Sequence, residues 1–252
     1  RGQYVPPPGE IFISRDLAQA EARVVAALAR CTRQLTKFAD PNWSIHKELG
    51  KDIYGYTPEK DTPQYVASKG GIHGGNFREG PLKLARSTGV ALKEARFAIT
   101  GYHRKYPEIK HWHESVRQQI YKKGQFTNPF GFRRVMFGAR GMLELKGYLD
   151  DSFWNEACNV IPQSVPPFII NQAICRAMAE HPWIHFCHQG HDSYLASVAC
   201  GRGREADDIM AELLQISMVI EGTELVIPSE ASVGFSWGEM MPLGEREPTR
   251  KE

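Results

Sequence analysis

The stretch Glu10-Ile-Phe-Ile-Ser-Arg-Asp16-Leu-Ala-Gln-Ala-Glu21-Ala-Arg23 decides how this chain folds. Entered from the stiff run Pro6-Pro7-Pro8-Gly9, residues 10 to 14 alternate and are rich in β-branched and aromatic side chains, which predicts a strand. From 18 to 30 the composition switches to Ala, Glu, Arg and Leu, with Val24, Val25 and Leu28 at helical spacing, which predicts a helix. A strand therefore hands over to a helix at Asp16, a place where a side chain can face a cleft.

A second acidic residue occupies a comparable place far downstream. Residues 183 to 187 and 194 to 199 read as strands, and Gly190-His191-Asp192 between them reads as a hairpin tip. The intervening sequence is mostly helical. Residues 41 to 63 predict short helices separated by loops, and longer helices are expected at 62 to 77, 91 to 106 and 107 to 123. The last shows Ile109, Trp112, Val116 and Ile120 on one face and Gly124 as its stop. After a Gly- and aromatic-containing segment at 127 to 137, a helical stretch from 151 to 180 contains Pro162, Pro166 and Pro167, which are expected to bend or break it. A helix at 205 to 218 and strands at 224 to 227 and 231 to 235 complete the reading. There is no internal repeat and no low-complexity tract.

With 252 residues, 42% of them hydrophobic, the chain can bury a substantial core. Its formal charge of +2 conceals an asymmetry: residues 65 to 134 hold 14 Lys and Arg against 4 Asp and Glu, so the remainder is acidic. That basic middle is a candidate surface for an anionic partner, although a charge run is more often only a solvated face. Five cysteines without a C-x-x-C pair argue against a disulfide framework and a zinc ribbon. The absence of a bilayer-length apolar run or a secretory signal predicts no membrane partner and a reducing, intracellular location, cytoplasmic or nucleoid.

Two carboxylates on separate strands are a sufficient protein share for a pair of Mg²⁺ ions, because this cation keeps several waters and phosphate oxygens. Taken singly, Asp16 and Asp192 are ordinary cap or turn residues. Their company changes the reading. Three separated segments, in order and spacing, resemble the motifs of the family A DNA polymerases, the bacterial DNA polymerase I type, in a divergent and viral or phage-like form. Asp16-Leu17-Ala18-Gln19-Ala20-Glu21-Ala22-Arg23 resembles D-x-S-x-x-E-x-R. The resemblance implies that Asp16 and the Leu17 carbonyl bind metal, that Gln19 lies at the nucleotide, that Glu21 closes the space beside the sugar C2′, and that Arg23 meets DNA.

The family's second motif is a helix with a Lys, an aromatic four residues on and a Tyr four further; Lys69, His73 and Phe77 occupy these places. Spacing of four puts them on one helix face, so that the ammonium can meet the triphosphate while the rings pack against sugar and base. Tyr65 stands where an Arg is usual, His73 replaces Phe or Tyr, and Arg78 replaces Gly. Gly70, Gly71, Gly74 and Gly75 each cost about 0.8 to 1 kcal/mol relative to Ala, which predicts a helix weak in isolation that orders on nucleotide binding. The third motif, usually H-D-E, reads His191-Asp192-Ser193, with His191 expected at the primer terminus. Between the motifs, Tyr106-Pro107-Glu108-Ile109 matches a helix junction, Arg133 and Arg134 belong to a G-R-R-like segment, and Asn159 with Gln163 matches an N-x-x-x-Q pair. Such amides can read minor-groove acceptors without choosing a sequence.

The resemblance implies an α+β fold: a palm with a small antiparallel sheet (1 to 42 and 124 to 252) interrupted by helical fingers (43 to 123). It implies template-directed addition of dNMP to a primer 3′-OH. The cofactor would be two Mg²⁺ ions, with Mn²⁺ as an alternative, and Asp16, Asp192 and Lys69 would be catalytic. Partners would be primer-template DNA, dNTPs, and a thumb- and exonuclease-bearing remainder or second polypeptide, the chain being read as a fragment or one half of a split enzyme. Two competing readings stand beside it. One is a single-subunit RNA polymerase relative, against which Glu21 argues; the other is a non-catalytic DNA-binding replisome subunit, which Tyr65, His73 and Arg78 motivate.

Overall fold

The strand expected at residues 10 to 14 runs on to Leu17 in the computed structural model, which describes residues 2–60 and 62–244. The first half of the chain contains β1 (Glu10–Leu17), α1 (Ala20–Leu28), α2 (Thr32–Phe38), α3 (Ile45–Tyr54), α4 (Pro63–Asn76), α5 (Pro81–Thr88), α6 (Leu92–Lys105) and α7 (Pro107–Lys123). There follow β2 (Gln125–Thr127), β3 (Arg133–Val135), α8 (Ala139–Lys146), α9 (Asp151–Glu180), β4 (His185–Gln189) and β5 (Ser193–Ala199). The last elements are α10 (Gly203–Leu213), β6 (Met218–Ile220), β7 (Thr223–Leu225), β8 (Ser229–Gly234) and β9 (Met241–Pro242). The fold is α+β with small antiparallel sheets, as expected; the ends of the outer segments, Arg1 and 245–252, and Asp61 lie outside the described residues. No described helix is long and apolar enough to cross a membrane.

The chain divides into two compact units, Arg1–Ala20 with Gln163–Met218 and Glu224–Glu252, and Glu21–Pro162 with Val219–Thr223. The first is built on a five-stranded antiparallel sheet of order β4-β5-β1-β8-β9, with α10 packed against β1, β5 and β8. Alternation along β1 puts Ile11, Ile13 and Leu17 on one face, all at most 2% exposed. Arg15 shares that parity and is not apolar. Its guanidinium bonds Asp207 Oδ1 on α10 at 2.6 Å and Ser229 Oγ on β8 at 3.0 Å, tying three elements together. Burial raises the Asp207 carboxyl pKa, outweighing the opposing pull of Arg15.

The second unit is helical, with a core that includes Val25, Phe38, Leu49, Ile72, Tyr102 and Trp112. Helix α4 is formed, and the reason lies in the same glycines that weaken it locally. A Cβ on Gly75 would stand 2.3 Å from Tyr102 Cδ1, one on Gly70 would stand 2.6 Å from Leu84 Cδ1, and one on Gly71 would stand 3.0 Å from Ala98 Cβ. The missing side chains let α4 approach α5 and α6, and tertiary burial replaces the lost propensity. Three short helices, α2, α5 and α8, are not expected from periodicity; α5 and α8 each span 8 residues and end at a left-handed glycine, Gly89 or Gly147.

The other departure is α9. It remains one 30-residue helix through Pro162, Pro166 and Pro167. Each proline removes the amide donor for the carbonyl four residues upstream, so Cys158, Pro162 and Gln163 lose their usual intrahelical partners.

Candidate functional site

Asp16 is the penultimate residue of β1 and exposed, a strand position rather than the expected switch point. Its register partners are Ser193 on β5 and Glu230 on β8. Directly opposed residues of antiparallel strands share one sheet face, so Ser193, Asp16 and Glu230 form a row across three strands. Asp192 immediately precedes β5, and its main-chain oxygen accepts from Leu17 N at 2.8 Å. The two aspartates thus come from adjacent strands at one end of the sheet, joined through the backbone. Leu17 itself is buried, at 1% exposure. Among the described residues no group of three or more His, Cys, Asp or Glu could hold a metal ion.

Gln19 follows in the left-handed region, φ 54°, where a non-glycine residue carries strain of about 1 to 2 kcal/mol. His191 is exposed at the hairpin tip, and its Nε2 donates to the Gln163 carbonyl at 2.8 Å, so these two predicted residues meet.

In the other unit, α4 turns Val66, Lys69 and His73 outward while Ala67, Ser68, Gly71 and Ile72 face in. His73 packs edge-on to Phe77, with ring centroids 4.7 Å apart, and its Nδ1 lies 3.8 Å from Glu79 Oε2. Lys69 also acts on α3: burial, reinforced by its positive charge, pulls the His46 pKa down to about 4.

Two expectations change here. Phe77 is 4% exposed and belongs to the core, so it backs the His73 ring instead of offering a stacking face. Arg23 is 6% exposed, donates to the Phe38 carbonyl at 3.1 Å and lies 4.5 Å over the Phe38 ring, so it braces α1 and is not presented to DNA. Its neighbour Glu21 is half-buried on α1. Arg133 and Arg134 are exposed on β3, Arg134 paired with Glu156 at 2.6 Å. Asn159 is half-buried, its Nδ2 donating to Asn155 O at 2.8 Å, while its buried Oδ1 has no hydrogen-bond partner among the described residues. Glu230 escaped the sequence reading altogether. It is remote from Asp16 along the chain, and strand order alone makes them neighbours.

A sequence model of DNA polymerase family A matches residues 1–239. The chain is 25% identical over 249 residues to DNA polymerase I of Borreliella burgdorferi, covering 95% of this chain and 26% of that protein. It is 25% identical over 158 residues to the DNA polymerase of Mycobacterium phage D29, covering 63% of this chain and 26% of that protein. It spans about a quarter of the length of these relatives. A solved structure, the POL domain of Pol1 from M. smegmatis in complex with DNA primer-template and dNTP, shares the fold with a TM-score of 0.74 at 20% identity, covering 94% of this chain and 42% of that one.

Proposed function

This chain belongs to DNA polymerase family A, and from that membership we propose that it carries the nucleotidyl-transfer centre of a template-directed DNA polymerase. The observation that carries the reading is the backbone adjacency of Asp16, near the end of β1, and Asp192, just before the neighbouring strand β5, bridged by the Leu17 N to Asp192 O bond of 2.8 Å. We assign residues 1 to 42 and 124 to 252 to the palm and 43 to 123 to the fingers, a functional division distinct from the two compact units, in which 21–162 pack together.

Asp16, Asp192 and the Leu17 carbonyl would hold two Mg²⁺ ions, with Mn²⁺ as an alternative; an oxygen-only donor set with few protein ligands suits hard cations that retain water and phosphate oxygens. When bound, such ions lower the pKa of the attacking primer 3′-OH and neutralise the leaving pyrophosphate. Glu230 and Ser193 flank Asp16 in register on the neighbouring strands, outside the metal-holding set. Lys69 pairs with the triphosphate and donates a proton to pyrophosphate. His73, backed by Phe77, packs against the sugar and base, with Gln19 at the same nucleotide. Glu21 excludes a ribose 2′-hydroxyl. Arg133, Arg134, Asn159, Gln163 and His191 track the primer-template, and Arg23 acts on DNA only through the helix it braces. A thumb- and exonuclease-bearing remainder or second polypeptide completes the grip on the duplex.

Primer extension with Mg²⁺ and dNTPs tests this. Wild type extends; Asp16→Asn and Asp192→Asn each lose about a thousandfold or more of the rate at unchanged melting temperature. Glu21→Ala admits rNTPs. A wild type that binds primer-template yet transfers no nucleotide in the presence of its remainder sinks the reading in favour of a DNA-binding subunit.

A further inference from the structure

Arg78 stands at the end of α4 with φ 59°, a left-handed backbone that glycine adopts freely and that costs an arginine about 1 to 2 kcal/mol. Something in the folded state must offset that. The side chain is 20% exposed, and its guanidinium carbon lies 3.3 Å from the centroid of the Trp154 ring. Nη1 donates to Asn155 Oδ1 at 3.0 Å, and Nη2 reaches Asp151 Oδ1 at 3.2 Å. The Asp151 side chain is 82% exposed, so that ion pair contributes little. Stacking and the amide bond do the holding.

The surface that Arg78 grips is itself fixed. Trp154 Nε1 donates to the His113 carbonyl at 2.8 Å, and His113 Nε2 donates to the Asn76 carbonyl at 2.7 Å. His103 Nε2 donates to the Gly75 carbonyl at 2.8 Å, and Tyr102 OH donates to Asn76 Oδ1 at 2.6 Å. The last carbonyls of α4, which a helix leaves without internal donors, are thereby capped by imidazoles from α6 and α7. Burial lowers the pKa of both histidines, His113 to about 4, so they serve as neutral donors at pH 7.

We infer that Arg78 is a positioning residue, a latch that pins the C-terminal end of α4 to α9 and so sets how Lys69 and His73 are presented to the incoming nucleotide. The latch stands on geometry alone; its consequence for nucleotide binding rests on the polymerase reading. Asn155 is shared, accepting from Arg78 through its side chain and from Asn159 through its carbonyl at 2.8 Å, so the latch ends beside a residue assigned to the primer-template.

Amide hydrogen exchange of residues 70 to 77 in the full chain tests the latch without substrate. Arg78→Gly relieves the backbone strain yet is expected to exchange about tenfold faster than wild type, because the contacts to Trp154 and Asn155 are gone. Arg78→Lys keeps the charge but cannot stack and fork together, and is expected to behave like the glycine variant. Exchange at or below the wild-type rate in either variant overturns the inference. In primer extension, the same variants are expected to raise KM for dNTP about fivefold, with kcat and primer-template Kd each within about twofold of wild type. An unchanged KM, or an equal loss of DNA affinity, also overturns it. A wild type that extends no primer counts against the polymerase reading, while the exchange measurement still judges the latch.

Discussion

His191 Nε2 donates to the main-chain oxygen of Gln163 at 2.8 Å, and Pro167 is the reason that oxygen is available. In an α-helix the Gln163 carbonyl would accept from residue 167, or from 166 in a tighter turn, and both are prolines. The hairpin tip that carries Asp192 is thereby tied to a helix through a bond that the helix has surrendered.

Pro167→Ala restores the missing amide. The variant is expected to melt about 3 to 6 °C higher, since an interior proline costs roughly 3 kcal/mol, offset here in part by the His191 bond. The His191 ring ¹⁵N signals should move from a fixed Nε2–H tautomer towards a free imidazole. A lower melting temperature would show that the proline is not the source of the free carbonyl.

The glycines of α4 and α6 are expected to respond in opposite directions. Gly75→Ala places a Cβ 2.3 Å from Tyr102 Cδ1 and should destabilise the chain by about 1 to 3 kcal/mol. A Cβ on Gly101, inside α6, would meet nothing within 4 Å, and Gly101→Ala should stabilise by about 1 kcal/mol. Denaturant midpoints measure both; a destabilised Gly101→Ala would refute the open-space argument.

Glu48 predicts an acid-sensitive core. Burial opposes its ionisation, but hydrogen bonds from Lys105, Lys37, Trp43 and Tyr106 overcome this and hold its carboxyl at about 2, against an ordinary 4.5. Because the folded pKa is depressed, this stabilisation is complete above about pH 5 and is lost as pH falls from 4.5 towards 2. Glu48→Gln should lower stability at pH 7 by about 1 to 3 kcal/mol and flatten the acid limb of the unfolding curve. Parallel acid limbs in the two proteins would contradict the assignment.

Arg133 and Arg134 separate a phosphate contact from a neutralised one. Arg133→Ala should weaken duplex binding severalfold and reduce the slope of log K against log salt by about 0.9. Arg134 already pairs with Glu156 at 2.6 Å, so Arg134→Ala should change that slope less. Equal slopes for both variants and wild type would remove β3 from the DNA path.

What could be read from residues alone was local order and chemical type. The alternation of 10 to 14, the Ala-rich run after Asp16, the acidic tip at Asp192 and the Lys69 face of α4 are periodicities of single elements, carried by neighbours in the chain. Periodicity says which residues turn inward and leaves open what covers them. Only the tertiary structure decided that Arg23 is buried on Phe38, that Phe77 backs His73 rather than meeting a base, and that Gly70, Gly71 and Gly75 make close contact instead of leaving a loose helix. Glu230 beside Asp16 and His191 on Gln163 belong to the same class. Each depends on strand order and helix packing, whose energy comes from burial between elements separate along the chain; even for His73 and Phe77, neighbours on one helix, the covering core comes from other segments.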